Sequence, residues 1–205
     1  LFCRQQLAGW SSQGLKRTDL LLLSIFGSPR KNGFSSRLHE ELIIPFKERG
    51  FFIERIYAYD AKVHPCTACG WCADHSSCSI DDGMTDIYNL IRTADIISIS
   101  SPLYFSSLPS PLKAIIDRCQ VLWEEGRRDQ FMLKKRKGIF ICAAGDEYNG
   151  MFAGVSMAIK HFYNAISTSY IPEDAILYPL SDTSPEISLE FIEKTRIIGE
   201  RYSAL

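Results

Sequence analysis

The sequence predicts an α/β protein, a three-layer sandwich in which a five-stranded parallel sheet lies between two layers of helices. Three observations predict it. From Leu20 onward, short continuous apolar runs alternate with longer stretches of helical periodicity. The runs are uniformly apolar, as strands buried on both faces should be. Glycine and proline punctuate the junctions, at Gly27, Pro29, Gly50, Pro109 and Pro111. Because strand-helix-strand crossovers are almost always right-handed, such alternation gives a parallel sheet covered on both sides.

Element by element, residues 20–25 form the first strand, which breaks at Gly27 and Pro29. Residues 35–49 form a helix, with Leu38, Leu42, Ile43 and Phe46 on one face and Gly50 as its C-terminal cap. Residues 51–58 are the second strand. Residues 82–92 are a helix burying Met84, Ile87, Tyr88 and Ile91, capped by Asp81 or Asp82. The third strand spans 96–101. A helix over 108–122 follows, with Pro109 and Pro111 in its first turn and Leu112, Ile115, Ile116 and Cys119 on one side. A strand at 138–144, a long helix at 151–169, a fifth strand at 175–180 and a final helix at 187–202 complete the pattern. No repeat or linker interrupts it, so residues 20–205 are expected to form one domain behind a loosely held arm, residues 1–19.

Composition narrows the function classes. The 23 basic and 24 acidic side chains give a formal charge of −1, and no chain-wide field for nucleic acid exists. The basic run Lys134 to Lys137 reads as a solvated start to the fourth strand. No apolar run approaches the ~20 residues needed to cross a bilayer, and the first nineteen residues do not read as a secretory signal. A cytoplasmic location is expected, where clustered cysteines bind metal or do redox work more often than they pair.

In an open α/β sheet, ligands bind beyond the carboxyl ends of the strands where the strand order reverses. For order 2-1-3-4-5 that point lies between the first and third strands. The loop after the first strand, GSPRKNGFSSRL, enters a helix N-terminus. Ser28, Asn32, Ser35 and Ser36 offer donors and Arg30 a guanidinium, Gly27 and Gly33 allow close backbone approach, and the helix end favours an anion. A phosphate group suits this set. The loop lacks the Gly-Lys-Ser/Thr ending of a triphosphate cradle. After the third strand, Pro102, Leu103, Tyr104 and Phe105 offer apolar and aromatic surface for a planar ring. The AAGDEYNG loop after the fourth strand, with Gly145, could cover that ring with small residues.

Between the second strand and the next helix lies HPCTACGWCADHSSC, an insertion over residues 64–80. Cys66, Cys69, Cys72 and Cys78 are spaced C-x2-C-x2-C-x5-C. Two successive short gaps let a loop wrap thiolates around one face of a [4Fe-4S] cluster, whereas zinc more often uses two separated pairs. Zinc and a vestigial motif without metal are the other readings. Cys3, Cys119 and Cys142 lie apart and read as structural, and His64, His75 and His161 carry no catalytic signal.

GSPRKNGFSSRL, CTACGWCADHSSCSIDDGM and SPLYFSSLPSPLKAIIDR together resemble the NADPH-dependent FMN reductase family and, within it, its iron-sulfur flavoprotein branch. The resemblance runs from about Leu20 to Ala144 and implies a flavodoxin-like fold, bound FMN, NAD(P)H as electron donor and a homodimer or homotetramer. It implies that Ser28, Arg30, Asn32, Ser35 and Ser36 hold the FMN phosphate and that Pro102, Leu103, Tyr104 and Phe105 line the isoalloxazine. One departure is Phe34, where family loops often carry a polar side chain. The function expected is that of an FMN-dependent oxidoreductase or electron-transfer protein with a small-molecule or protein redox partner. The alternative is a non-catalytic redox-sensing module.

Overall fold

Strand β1 (Leu21–Phe26) is buried along its whole length because neighbours pair with it on both sides. In the computed structural model, which describes residues 20–128 and 134–204, β2 (Phe52–Tyr57) flanks it on one side and β3 (Ile96–Pro102) on the other. Strand β4 (Arg136–Ala143) follows β3, and with β5 at Thr168–Tyr170 the parallel sheet runs in the order β2-β1-β3-β4-β5. The fold is thus flavodoxin-like, with the reversal of order between β1 and β3. The N-terminal arm lies outside the described residues.

Alternation along β1 and β3 splits the core in two. Leu23, Ile25, Ile97 and Ile99 face helices α2 (Met84–Thr93), α3 (Ser110–Arg118), α4 (Gln120–Arg128) and α5 (Ala153–Ala165). Leu22, Phe26, Ile96 and Ile139 face α1 (Phe34–Glu48) and α6 (Leu189–Ser203). Each of these fully buried side chains contributes roughly 1.5–3 kcal/mol on removal from water, so the sandwich needs no metal to hold it together. No helix among the described residues is long and apolar enough to cross a membrane.

Four expectations change. The long helix predicted over 151–169 ends at Ala165, and Thr168–Tyr170 is strand β5. Ser167 sits at φ 55, which breaks the helix and turns the chain back to the sheet edge. β5 pairs with the start of β4, a short 3-10 turn at Pro172–Asp174 interrupts it, and β6 (Ile176–Tyr178) resumes against the end of β4. The predicted fifth strand is therefore the second half of a divided one. The helix predicted over 108–122 breaks at Cys119, where the Arg118 carbonyl accepts a hydrogen bond from the Tyr88 hydroxyl at 2.7 Å. The basic run is not all solvated, since Arg136 is buried and donates to the Ile166 carbonyl at 2.8 Å.

Candidate functional site

The loop leaving β1 builds itself from local hydrogen bonds. The Ser28 hydroxyl donates to the Arg30 carbonyl and accepts from the Arg30 amide, both at 3.1 Å. Ser36 adds a bond from its hydroxyl to the same carbonyl at 3.1 Å. Gly33, the residue before α1, has no side chain with which to cap the helix, so the first-turn amides are left for an external acceptor. A cleft of about 420 Å3 opens over this end, lined by Ser28, Arg30, Asn32 and Ser35 of the loop. The residues present therefore fit a phosphate group.

The far wall of the cleft comes from Pro102 at the end of β3, Ala143 at the end of β4, and Ser181, Asp182 and Pro185 beyond β6. Arg37 ties that last loop to α1, donating to the Pro185 carbonyl and the Glu186 carboxylate at 2.9 Å each. Gly145 backs onto Asp182, whose carboxylate fills the space a side chain at 145 would need. Gly27 serves packing, not ligand approach: a Cβ there would lie 2.5 Å from Leu112 and 2.9 Å from the Ser100 carbonyl. Beneath the loop, buried His39 pairs with Ser98 at 2.7 Å and Ser100 at 2.8 Å. Burial, helped by the charge of Arg55, pushes its pKa down to about 3, so it is neutral.

At the end of β3 the Leu103 amide is held by the Ala143 carbonyl at 2.8 Å. Tyr104 and Ser107 then exchange backbone hydrogen bonds at 3.0 and 2.9 Å, closing a two-residue turn. Phe105 and Ser106 occupy that turn at φ 49 and 58, a left-handed conformation that costs non-glycine residues energy and concentrates at functional sites. The turn presents Phe105 wholly to solvent and is braced by the Ser106 hydroxyl against the Tyr148 hydroxyl at 2.9 Å.

A second cavity, of about 470 Å3, is lined by all four clustered cysteines together with Trp71, Ile80, Arg118, Val121 and Glu124. It shares no lining residue with the first. The insertion leaves the carboxyl edge near the phosphate loop, where Lys31 pairs with Asp60 at 2.8 Å, and then folds back over the junction of α3 and α4. Among the described residues no group of three or more acidic, histidine or cysteine side chains is placed to hold a single metal ion.

The insertion itself buries little, so its shape depends on clamps from the helices. Arg118, 1% exposed, donates through Nη1 to the His64 carbonyl at 3.0 Å and to Asp82 at 2.9 Å. Through Nη2 it reaches the Ile80 carbonyl at 3.0 Å and Asp82 at 3.2 Å. One side chain thus holds the residues on either side of the cysteines. Burial would raise the Asp82 carboxyl, but Arg118 and the His64 and Met84 amides hold it below its usual range. Gly83 lets the exit strand pass the entrance, since any Cβ would collide with the Ala61 carbonyl. Arg128 secures the middle, donating to the Cys72 and Ala73 carbonyls at 2.7 Å. The thiols differ: the Ser79 hydroxyl and the Trp71 amide lower Cys69, while burial raises Cys72.

These features have known counterparts. The family model described as NADPH-dependent FMN reductase matches residues 20–179. The chain belongs to that family. An iron-sulfur flavoprotein of Methanosarcina thermophila is 36% identical over 191 residues, covering 85% of this chain and 98% of the relative. In structure the chain resembles an NAD(P)H:quinone oxidoreductase from Methanothermobacter marburgensis, with TM-score 0.67, 16% identity, and coverage of 89% of this chain and 96% of that one. It also resembles an FMN-dependent NADH-azoreductase from Bacillus anthracis in complex with FMN, with TM-score 0.64, 18% identity, and coverage of 90% and 98%. At such identities the last two establish likeness of fold.

Within this family framework the expected site residues divide. Ser28, Arg30, Asn32, Ser35 and Pro102 line one cleft, while Ser36 is turned into the loop's own bonding. Leu103, Tyr104, Phe105 and Gly145 are not among the residues that line it. Sequence reasoning missed Arg37, His39, Ser181, Asp182 and Pro185. The polar SDTSPE turn after the last strand carried a usable signal, because it too emerges at the carboxyl edge. Cys119 and Cys142 are buried, consistent with structural thiols; Cys119 is pushed up to about 12 by burial. His64, His75 and His161 are exposed, and His75 stacks on Trp71.

Proposed function

We propose that this chain is an FMN-dependent oxidoreductase carrying a cysteine-bound [4Fe-4S] cluster. The observation that carries the reading is the convergence of Cys66, Cys69, Cys72 and Cys78 on one cavity, separate from a phosphate-adapted cleft at the β1–β3 reversal. When bound, FMN supplies hydride and one-electron chemistry, and a cluster supplies single electrons. The free amides at the start of α1, with Arg30 and Asn32, hold the phosphate. Asp182 accepts hydrogen bonds from hydroxyl groups farther along the ligand. The segment from Pro102 to Phe105 would offer apolar and aromatic surface to the ring. Arg118 and Arg128 hold the cysteine loop in place.

The proposal extends to NAD(P)H as reductant, a small-molecule or protein redox partner, a cytoplasmic setting and a homodimer or homotetramer. The test is anaerobic purification followed by assay of heat-released flavin, iron, and NADPH or NADH oxidation with a quinone acceptor. Steady oxidation with both groups bound supports the reading; a colourless protein with neither contradicts it. A redox-sensing role draws support from the exposure of Cys66 and Cys69. Sustained turnover with an acceptor would exclude a purely sensory function.

A further inference from the structure

Arg118 has five N–H donors, and four bonds to the ends of the cysteine loop engage both terminal nitrogens. Its Nε has no partner among the described residues, although the side chain is 1% exposed and cut off from water. Buried donors in folded proteins are almost always satisfied, so an orphaned one marks an acceptor that the protein atoms do not supply. The same residue lines the cavity shared by Cys66, Cys69, Cys72 and Cys78. Thiol sulfur is a weak acceptor, whereas thiolate or inorganic sulfide bears negative charge and binds an N–H donor more strongly.

We infer that Arg118 donates a hydrogen bond through Nε to a sulfur of the group held by the four cysteines, and that it tunes that group as well as positioning its loop. The inference rests on the cluster reading above. Its physical consequence has a definite sign. Reduction adds negative charge to the cluster, and a guanidinium donating to its sulfur stabilises the more negative state, raising the reduction potential. Arg118 is a positioning residue that acts through the cluster, and its partner Asp82 offsets part of its charge. Removing the donor lowers the potential. Removing the carboxylate with Asp82→Asn raises it, an opposition that a purely structural clamp would not produce.

The direct test uses wild-type protein labelled with [15N]arginine, loaded with iron, reduced and examined by pulsed electron paramagnetic resonance. A coupling between arginine nitrogen and the cluster is expected, retained in Arg128→Gln and lost in Arg118→Lys, with the Arg118→Lys potential shifted to more negative values. Iron-loaded wild-type protein without arginine coupling overturns the inference, as does a coupling that survives Arg118→Lys or vanishes in Arg128→Gln. Should Arg118→Lys take up no iron, the wild-type and Arg128→Gln spectra decide by the same criteria. Wild-type protein that binds no iron overturns the cluster reading and this inference with it, whereas iron without coupling overturns this inference alone.

Discussion

The two cavities are built in opposite ways. The phosphate cleft is made by neighbours in sequence: Ser28, Arg30, Gly33 and Ser36 bond to one another within ten residues, on the stub of a fully buried strand. The cysteine cavity is made by a segment with little core of its own, shaped by Arg118 and Arg128 from helices that come 36 or more positions later than the loop's last clamped residue, Asp82. A site of the first kind is preformed by the fold. The second depends on a few distant clamps and on whatever its thiolates hold, which teaches that the two can be lost independently.

The sharpest way to break that contrast is to remove the clamp. Arg118→Ala leaves Asp82 buried without its partner, a loss of about 3–5 kcal/mol for a buried pair. Melting of the apo protein should drop by roughly 6–20 °C for a chain of this size. Iron uptake should fall with it, while FMN affinity of the folded protein stays within about twofold. Equal loss of FMN would show that the cavities are one cooperative unit.

Cys72→Ser asks the same question without disturbing the clamp. Iron should fall from about four per chain to below about one, with flavin content unchanged. In the other direction, Arg30→Glu places a carboxylate in the phosphate cleft at an exposed position. The FMN dissociation constant should rise about tenfold, equivalent to ~1.4 kcal/mol. Riboflavin, which lacks the phosphate, should bind as before, and iron content should not change.

A pH series separates the regions in another way. Neutral His39 lies under the phosphate loop with its folded pKa near about 3, below the ordinary 6.5. The unfolded chain takes up the proton first, so the stability from His39 is complete above about pH 6.5 and is lost as pH falls toward 3. The slope reaches at most about 1.4 kcal/mol per pH unit. His39→Gln should flatten urea-unfolding stability across that window. Asp82, whose carboxyl is held below its ordinary 3.8, contributes stability that is present above about pH 3.8 and is lost as the pH falls below it. His39→Gln protein retaining the full slope would contradict this assignment.

Much of the fold was legible because buried parallel strands announce themselves: LLLSIF and IISIS read as apolar runs whatever surrounds them. Thr168–Tyr170 was not legible, because three residues after an amphipathic helix offer too little pattern, and the left-handed Ser167 that redirects the chain leaves no glycine signature. In the sites, residues drawn from one continuous loop could be read, hence Arg30, Asn32 and the four cysteines. No local pattern marks Arg118 as a clamp, because its hold on the cysteine loop arises from tertiary contacts with His64, Ile80 and Asp82. His39 was hidden for a related reason: its partners Ser98 and Ser100 lie about 60 positions away on another strand.

Two separate prosthetic-group cavities in one chain, one for a flavin phosphate and one for a cysteine-held cluster, make a joint prediction about what the purified protein contains. The most direct measurement is the visible spectrum of anaerobically purified protein before and after dithionite, with flavin and iron quantified on the same sample. About one FMN and about four iron atoms per chain are expected, with broad cluster absorbance beneath the flavin bands that dithionite bleaches. Flavin bands with no iron, or iron with no flavin, would contradict it.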